Sequence, residues 1–253
     1  MSKTILLIGL SGHGKSTTGN CLLNKSGDEK NITEEPFRTS NGASGCTIGF
    51  KTAQTDDFIV LDTVGFGDPQ FTDQKKILND LKMAIQSVGN QIDCVLFVVR
   101  EGRFTNETVQ FFETVQEKVL RKNFVENSIL IASSAREGWL RQQSGNPFVQ
   151  RAMRNCNNVG YDFNLKFDDS DDEEAVRAKN LNKRQTAIDN LVSFVKGKCS
   201  EFGKVNVDYI QSAEFETEWL EKIAPILGQI LYEIVGLFAP PAVTRMLDKC
   251  KQM

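Results

Sequence analysis

Ile5-Leu6-Leu7-Ile8-Gly9-Leu10-Ser11-Gly12-His13-Gly14-Lys15-Ser16-Thr17 decides the fold of this chain. The apolar run reads as a buried strand. The glycine-bearing stretch after it reads as a phosphate-binding loop that opens a helix. Glycines let the backbone curl until its N–H groups point inward at a polyphosphate. The helix that begins at the loop's end adds its positive dipole terminus. Lys15 is a fixed positive charge for the outer phosphates, and Ser16 offers a hydroxyl to magnesium. Ser11, Gly12, His13, Gly14 and Thr17 complete the nucleotide-contacting set. A strand–loop–helix of this composition implies a nucleoside triphosphate as ligand.

The bulk composition agrees with a soluble globular chain: 253 residues, 40% hydrophobic and 25% charged, with a formal net charge of −3. That size fits one or two domains. Without a basic surplus, a nucleic-acid partner is disfavoured. The apolar start is too short for a signal peptide and runs straight into the phosphate loop. Cys21, Cys46, Cys94, Cys156, Cys199 and Cys250 show no paired spacing, so neither a zinc motif nor a disulfide framework is expected and a reducing cytoplasmic setting fits. His13 is the single histidine.

Further along, strand-like and helix-like segments alternate, as in an α/β domain. Residues 47–52 and 58–61 read as a strand pair, and 75–88 as an amphipathic helix. The run Cys94-Val95-Leu96-Phe97-Val98-Val99 has the continuous apolarity of a strand buried on both faces. Residues 105–120 read as a helix, 128–132 as the next buried strand, 147–156 as a short helix and 159–163 as a last strand. The acidic run from Asp168 to Glu174 reads as a solvated turn leading into a long helix over 175–199. Residues 219–238 form an unusually apolar helical stretch, interrupted by Pro225 and Glu233. It reads as an amphipathic helix packed on the preceding domain rather than a membrane span. The expected architecture is a P-loop NTPase fold, a mostly parallel sheet flanked by helices. Residues 1–200 form the nucleotide-binding domain and 201–253 a C-terminal helical extension and tail.

Asp62-Thr63-Val64-Gly65 follows the strand over 58–61. An acidic residue at that strand end suits a carboxylate that holds magnesium through its water shell. Gly65 lets a backbone N–H meet the γ-phosphate. Thr47 lies between the two elements, where a threonine joins the magnesium shell when a γ-phosphate is present. That makes its segment a switch. The metal set is therefore Ser16, Thr47 and Asp62.

This pattern resembles small GTPases, and within them the GTPase-of-immunity-associated-protein family (GIMAP, also called AIG), relatives of septins. Four segments carry the resemblance: Gly14-Lys15-Ser16-Thr17-Thr18-Gly19-Asn20; Asp62-Thr63-Val64-Gly65-Phe66-Gly67-Asp68; the box Val98-Val99-Arg100-Glu101-Gly102-Arg103-Phe104-Thr105-Asn106-Glu107; and Cys156 followed by Tyr161-Asp162-Phe163-Asn164-Leu165-Lys166. The resemblance implies a G domain that binds GTP and GDP with Mg2+ and hydrolyses GTP. It implies pairing or oligomerisation through the nucleotide face, with Arg103 acting as a finger across that interface. Lys15 and Thr47 stand beside Arg103 as the catalytic set. Arg103 as a surface residue capping its strand is the competing reading, and for His13 a plain loop position competes with a contact across the interface.

Two departures from the family pattern matter. The strand over 128–132 leads into Ser133-Ser134-Ala135-Arg136-Glu137, where the family carries Thr-x-x-Asp. One register puts Ser134 and Glu137 at the guanine-reading positions, with Asn164 beside base and ribose. A shift by one puts Arg136 there instead, and the eroded motif keeps a P-loop ATPase open. Phe66 replaces the glutamine that would orient water, so a lone subunit is expected to be slow. A nucleotide-gated oligomerising scaffold with negligible turnover is the alternative.

The end, Cys250-Lys251-Gln252-Met253, fits a prenylation signal at Cys250. With the apolar helix before it, this would place the chain at the cytoplasmic face of a membrane. The competing reading is an ordinary free cysteine.

Overall fold

The computed structural model describes residues 1–23, 36–39, 49–63, 74–121, 124–167 and 174–238. Its centre is a six-stranded sheet of β1 (Lys3–Ile8), β2 (Lys51–Gln54), β3 (Phe58–Asp62), β5 (Cys94–Arg100), β6 (Ser128–Ser133) and β7 (Gly160–Phe163), in the spatial order β2-β3-β1-β5-β6-β7. Only the β2–β3 pair is antiparallel; β3–β1, β1–β5, β5–β6 and β6–β7 are parallel. The short β4 (Gln91–Ile92) pairs with β8 (Val205–Asn206) in a separate antiparallel ladder.

Both faces of the sheet are covered, which is why its central strands read as unbroken apolar runs. Along each strand the side chains alternate between two cores. Leu6, Ile8, Val95, Phe97, Val99, Leu130 and Ala132 enter one, with α2 (Gln74–Ser87), α3 (Asn106–Thr114) and α5 (Pro147–Arg154). Ile5, Leu7, Cys94, Leu96, Val98, Ile129 and Ile131 enter the other, with α1 (Lys15–Leu22) and the long α6 (Glu174–Glu201). Cys21, Cys94, Cys156 and Cys199 are free thiols inside these cores, and burial pushes the Cys94 and Cys156 thiols up.

The C-terminal extension is built into the first core rather than lying on it. Ile210, Phe215, Trp219, Ile223, Leu227 and Ile230 belong to the same buried cluster as the sheet residues. The stretch expected as one regular helix is instead α7 (Ala213–Glu218), a π-helical turn (Trp219–Ile223) and α8 (Ala224–Phe238). Pro225 explains the division. It has no N–H to give and its ring crowds the preceding turn, so a wide turn just before it and a fresh α-helical start suit it. A second π-helical turn (Val115–Leu120) ends α3, against which α8 packs. Among the described residues no helix is long and apolar enough to cross a membrane.

Trp219 is fully buried in that shared core. Trp219→Ala is expected to cost about 3–5 kcal/mol of unfolding free energy, read from urea denaturation of the whole chain. A loss below about 1 kcal/mol would mean that the extension is not part of the core.

Candidate nucleotide site

The site lies at the C-terminal ends of the parallel strands, where ligands bind in open α/β sheets. The phosphate loop turns back on itself through the His13 N–H, which donates to the Leu10 carbonyl at 3.3 Å. Gly12 and Gly14 both have positive φ, 74° and 91°, a conformation that favours glycine. Gly9 has a different reason to be glycine. A Cβ there would stand 2.5 Å from the Val98 carbonyl oxygen of β5, so the loop starts in contact with the neighbouring backbone.

One further bond fixes the loop to the sheet. The Ser133 hydroxyl, at the end of β6, donates to the His13 carbonyl at 2.6 Å. The Val98 carbonyl lies near the His13 imidazole and favours its protonated form, while Nδ1 is buried without a hydrogen-bond partner. Burial first, then the charges of Lys15, Arg103 and Arg100, lower its pKa from 6.5 to about 3. His13 is thus a neutral residue packed beneath the loop, not a group at its rim.

Lys15 is buried, and its Nζ donates to the Leu10 carbonyl at 3.1 Å. This holds the ammonium within the loop. Ser16, at the start of α1, donates through its hydroxyl to Asp62 Oδ2 at 2.7 Å. The pairing of β1 with β3 places Asp62 opposite Leu7, and the Thr63 hydroxyl donates to the Leu7 carbonyl at 2.7 Å, securing the strand end. A hydroxyl and a carboxylate side by side form an all-oxygen donor set. That suits a hard divalent cation which keeps most of its water shell. Thr47 and Gly65, expected in the same set, lie outside the described residues, as do Phe66, Asp168 and Cys250.

Asn20 links this region to the chain that leads towards Thr47. Its amide donates to the Phe37 carbonyl at 2.8 Å and accepts from the Phe37 N–H at 3.1 Å. Both backbone groups of a fully buried phenylalanine are thereby satisfied.

On the opposite side the chain brings together the two segments expected to read the base. The Ala135 N–H donates to the Phe163 carbonyl at 3.2 Å, joining the end of β6 to that of β7. Of the tandem serines, Ser133 meets the phosphate loop, whereas Ser134 stands beyond the strand with φ 60°. Ser134 is half-buried, and both Arg136 and Glu137 are exposed. Asn164 closes a turn on itself, accepting from the Lys166 N–H at 2.8 Å and donating to the Lys166 carbonyl at 3.3 Å. Asp162 is committed elsewhere. It accepts from the Leu140 N–H at 3.0 Å, at the start of α4 (Trp139–Gln142), and desolvation raises its pKa.

Arg103 follows β5 in a tight turn. Its Nη1 lies 3.6 Å from the point where a Cβ on Gly12 would stand, so the guanidinium lies over the phosphate loop of its own chain. Immediately after it the Thr105 hydroxyl caps α3, accepting from the Thr108 N–H at 3.3 Å. Arg151 then ties α3 to α5 with bonds to Glu113 at 3.1 and 2.6 Å and to Asn106 at 2.8 Å.

The depressed pKa of His13 has a consequence for stability. Between about 6.5 and 3 the unfolded chain binds a proton that the folded chain does not. Folding stability owed to this residue is therefore full above the unfolded pKa and falls as the pH drops through that window. The parent chain should lose about 2 kcal/mol more than His13→Gln on going from about pH 7 to about pH 5, measured by urea unfolding at each pH. Equal losses in the two proteins would contradict a buried, neutral imidazole.

The comparisons with known proteins agree with this geometry. Residues 3–204 match the model of the AIG1 family. GTPase IMAP family member 8 of Mus musculus is 25% identical over 234 residues, covering 89% of this chain and 30% of that protein. The Rattus norvegicus protein of the same name is 26% identical over 183 residues, covering 69% of this chain and 26% of its own length. The chain thus spans under a third of these two relatives. Among solved structures, Toc33 from Arabidopsis thaliana in complex with Mg2+ and GMPPNP superposes with a TM-score of 0.52 at 16% identity, over 81% of this chain and 88% of that one. The likeness is one of fold, that of a P-loop G domain. Matched over most of its length by the family model, the chain belongs to the AIG1 family.

Proposed function

We propose that this chain is a guanine-nucleotide switch that binds GTP and GDP and hydrolyses GTP with Mg2+. The observation that carries the reading is the Ser16–Asp62 contact at 2.7 Å at the mouth of a complete phosphate loop. Family membership supports it, and the solved structure of similar fold holds a GTP analogue and Mg2+.

In this reading the backbone N–H groups of the loop and Lys15 hold the phosphates. Nζ exchanges its bond to the Leu10 carbonyl for phosphate oxygens, so the charge stays satisfied in both states. Ser16 and Asp62 would hold a magnesium ion, which would supply charge neutralisation on the outer phosphates. Thr47 and Gly65 respond to the γ-phosphate and make the two states differ. Glu137, with Ser134 and Asn164 beside it, accepts hydrogen bonds from the guanine edge. The triphosphate form then pairs with a second copy through the nucleotide face. Cys250, once prenylated, holds the chain at the cytoplasmic face of a membrane. A scaffold that pairs on nucleotide without turning it over remains the second reading, favoured by Phe66 at the position of the water-orienting glutamine.

Two substitutions test the reading. Ser16→Asn should weaken GTP binding far more than GDP binding in calorimetry with magnesium present, because its hydroxyl would help to hold an ion that neutralises charge on the outer phosphates. Unchanged GTP affinity would remove Ser16 from the site. Glu137→Ala should cost about 2–3 kcal/mol of GTP affinity, the scale of hydrogen bonds to a charged acceptor, and should abolish preference over ATP. Retained discrimination would move base reading to Arg136 or Ser134.

A further inference from the structure

Glu137 is exposed, yet the backbone that carries it is tightly held. The Trp139 N–H donates to the Arg136 carbonyl at 3.1 Å, which closes a turn over Arg136–Trp139. Gly138 has φ 79° and ψ 5°, the angles of the third residue of a type II turn, where glycine is favoured. Glu137 thereby takes the second position of that turn.

Both ends of the turn are fixed to β7. On the incoming side the Ala135 N–H donates to the Phe163 carbonyl at 3.2 Å. On the outgoing side the Leu140 N–H donates to Asp162 Oδ1 at 3.0 Å. Gly138 precedes α4 and has no side chain to cap it, so a carboxylate from the neighbouring strand takes that part. Desolvation raises the Asp162 pKa, and the nearby amides of Leu140, Gly138 and Trp139 oppose it by favouring the charged form. Alternation along β7 puts Asp162 there: Phe163 enters the core shared with α6, so its neighbour faces the side on which α4 starts. The approach is close, because a Cβ on Gly160 of β7 would stand 2.9 Å from Leu140 Cδ1.

We propose that Asp162 is a positioning residue for base recognition: from β7 it fixes the turn that presents Glu137, and so sets the preference for guanine over adenine without touching the nucleotide. This rests on the proposed reading of guanine by Glu137 and deepens it. Two hydrogen bonds to one base edge form together only when the carboxylate is held in a narrow range of positions. Glutamate has one more rotatable bond to order than the aspartate of the family pattern. A fixed backbone therefore matters more here, and the Asp162 bond to the Leu140 N–H supplies it three residues beyond Glu137. The phosphate loop is held by other bonds, so Asp162 acts on the base end of the ligand alone.

Calorimetry of the full chain with magnesium tests this, using GTP, ATP and inorganic tripolyphosphate as ligands. Asp162→Ala should lose about tenfold in GTP affinity, while ATP and tripolyphosphate stay within about twofold of the parent, which also shows the variant to be folded. Asp162→Asn keeps an acceptor oxygen for the Leu140 N–H and should stay within about threefold of the parent for GTP. Asp162→Ala combined with Glu137→Ala should bind GTP no more weakly than Glu137→Ala alone, because nothing is left to position. Additive losses in the double variant, a tripolyphosphate affinity that falls together with that for GTP, or an Asn variant as weak as the Ala variant would overturn the assignment. So would an unchanged GTP/ATP ratio in Asp162→Ala when Glu137→Ala abolishes the preference. If Glu137→Ala itself leaves that ratio unchanged, the reading of guanine by Glu137 fails, and this proposal with it. A parent chain that binds no GTP would overturn the nucleotide reading as a whole.

Discussion

The carbonyl of Val98 is the point on which the site is assembled. It leaves no room for a side chain on Gly9, and it lies near enough to the His13 imidazole to favour its protonated form. One backbone oxygen of β5 therefore sets where the phosphate loop begins. The Ser133 bond to the His13 carbonyl adds β6 to the same arrangement. A loop so short, packed against β5 and bonded to β6, inherits their rigidity. Its N–H groups are then aimed before any ligand arrives, and little ordering cost is left for binding.

That constraint also governs the electrostatics. A histidine packed between loop and sheet is desolvated, and three neighbouring cations make its protonation still less favourable. The neutral imidazole therefore adds no further positive charge beside Lys15 and Arg103. Lys15 is already inside the loop, with its charge placed against a backbone carbonyl rather than solvent. On the metal side, the parallel pairing of β1 with β3 does the equivalent work. It carries Asp62 to the strand end beside Ser16 at the start of α1, two residues far apart in sequence but joined by a hydrogen bond.

Much of this was legible in the chain because the controlling patterns are local. The apolar run at 94–99 requires cover on both faces, and helices lie on both. The helix expected over 175–199 is observed as Glu174–Glu201. The loop glycines announce their backbone angles. What was not legible depends on geometry that adjacent residues share. Ser133 and Ser134 are chemically alike, and only the end of the strand decides which one faces the loop; a one-residue slip reverses the side-chain direction. Arg103 was readable as a motif residue, but its approach to Gly12 of its own chain comes from the closure of the turn at Arg100. The two-residue strands β4 and β8 are too short to show any periodicity. Pro225 is legible as an interruption of the C-terminal helical stretch, whereas the π-helical turn that precedes it is not. The role of Asn20 as a clamp on Phe37 depends on a contact that no spacing announces.

The central claim is that these strand ends and their cations form a site for a guanine nucleoside triphosphate. It is tested most directly by titrating the nucleotide-free full chain with GTP and, separately, with ATP in the presence of magnesium, and measuring both affinities by calorimetry. The account predicts saturable binding at one site per chain, with GTP preferred over ATP by roughly tenfold or more, about 1.4 kcal/mol. Absence of binding by either nucleotide, or a preference for ATP, would contradict it.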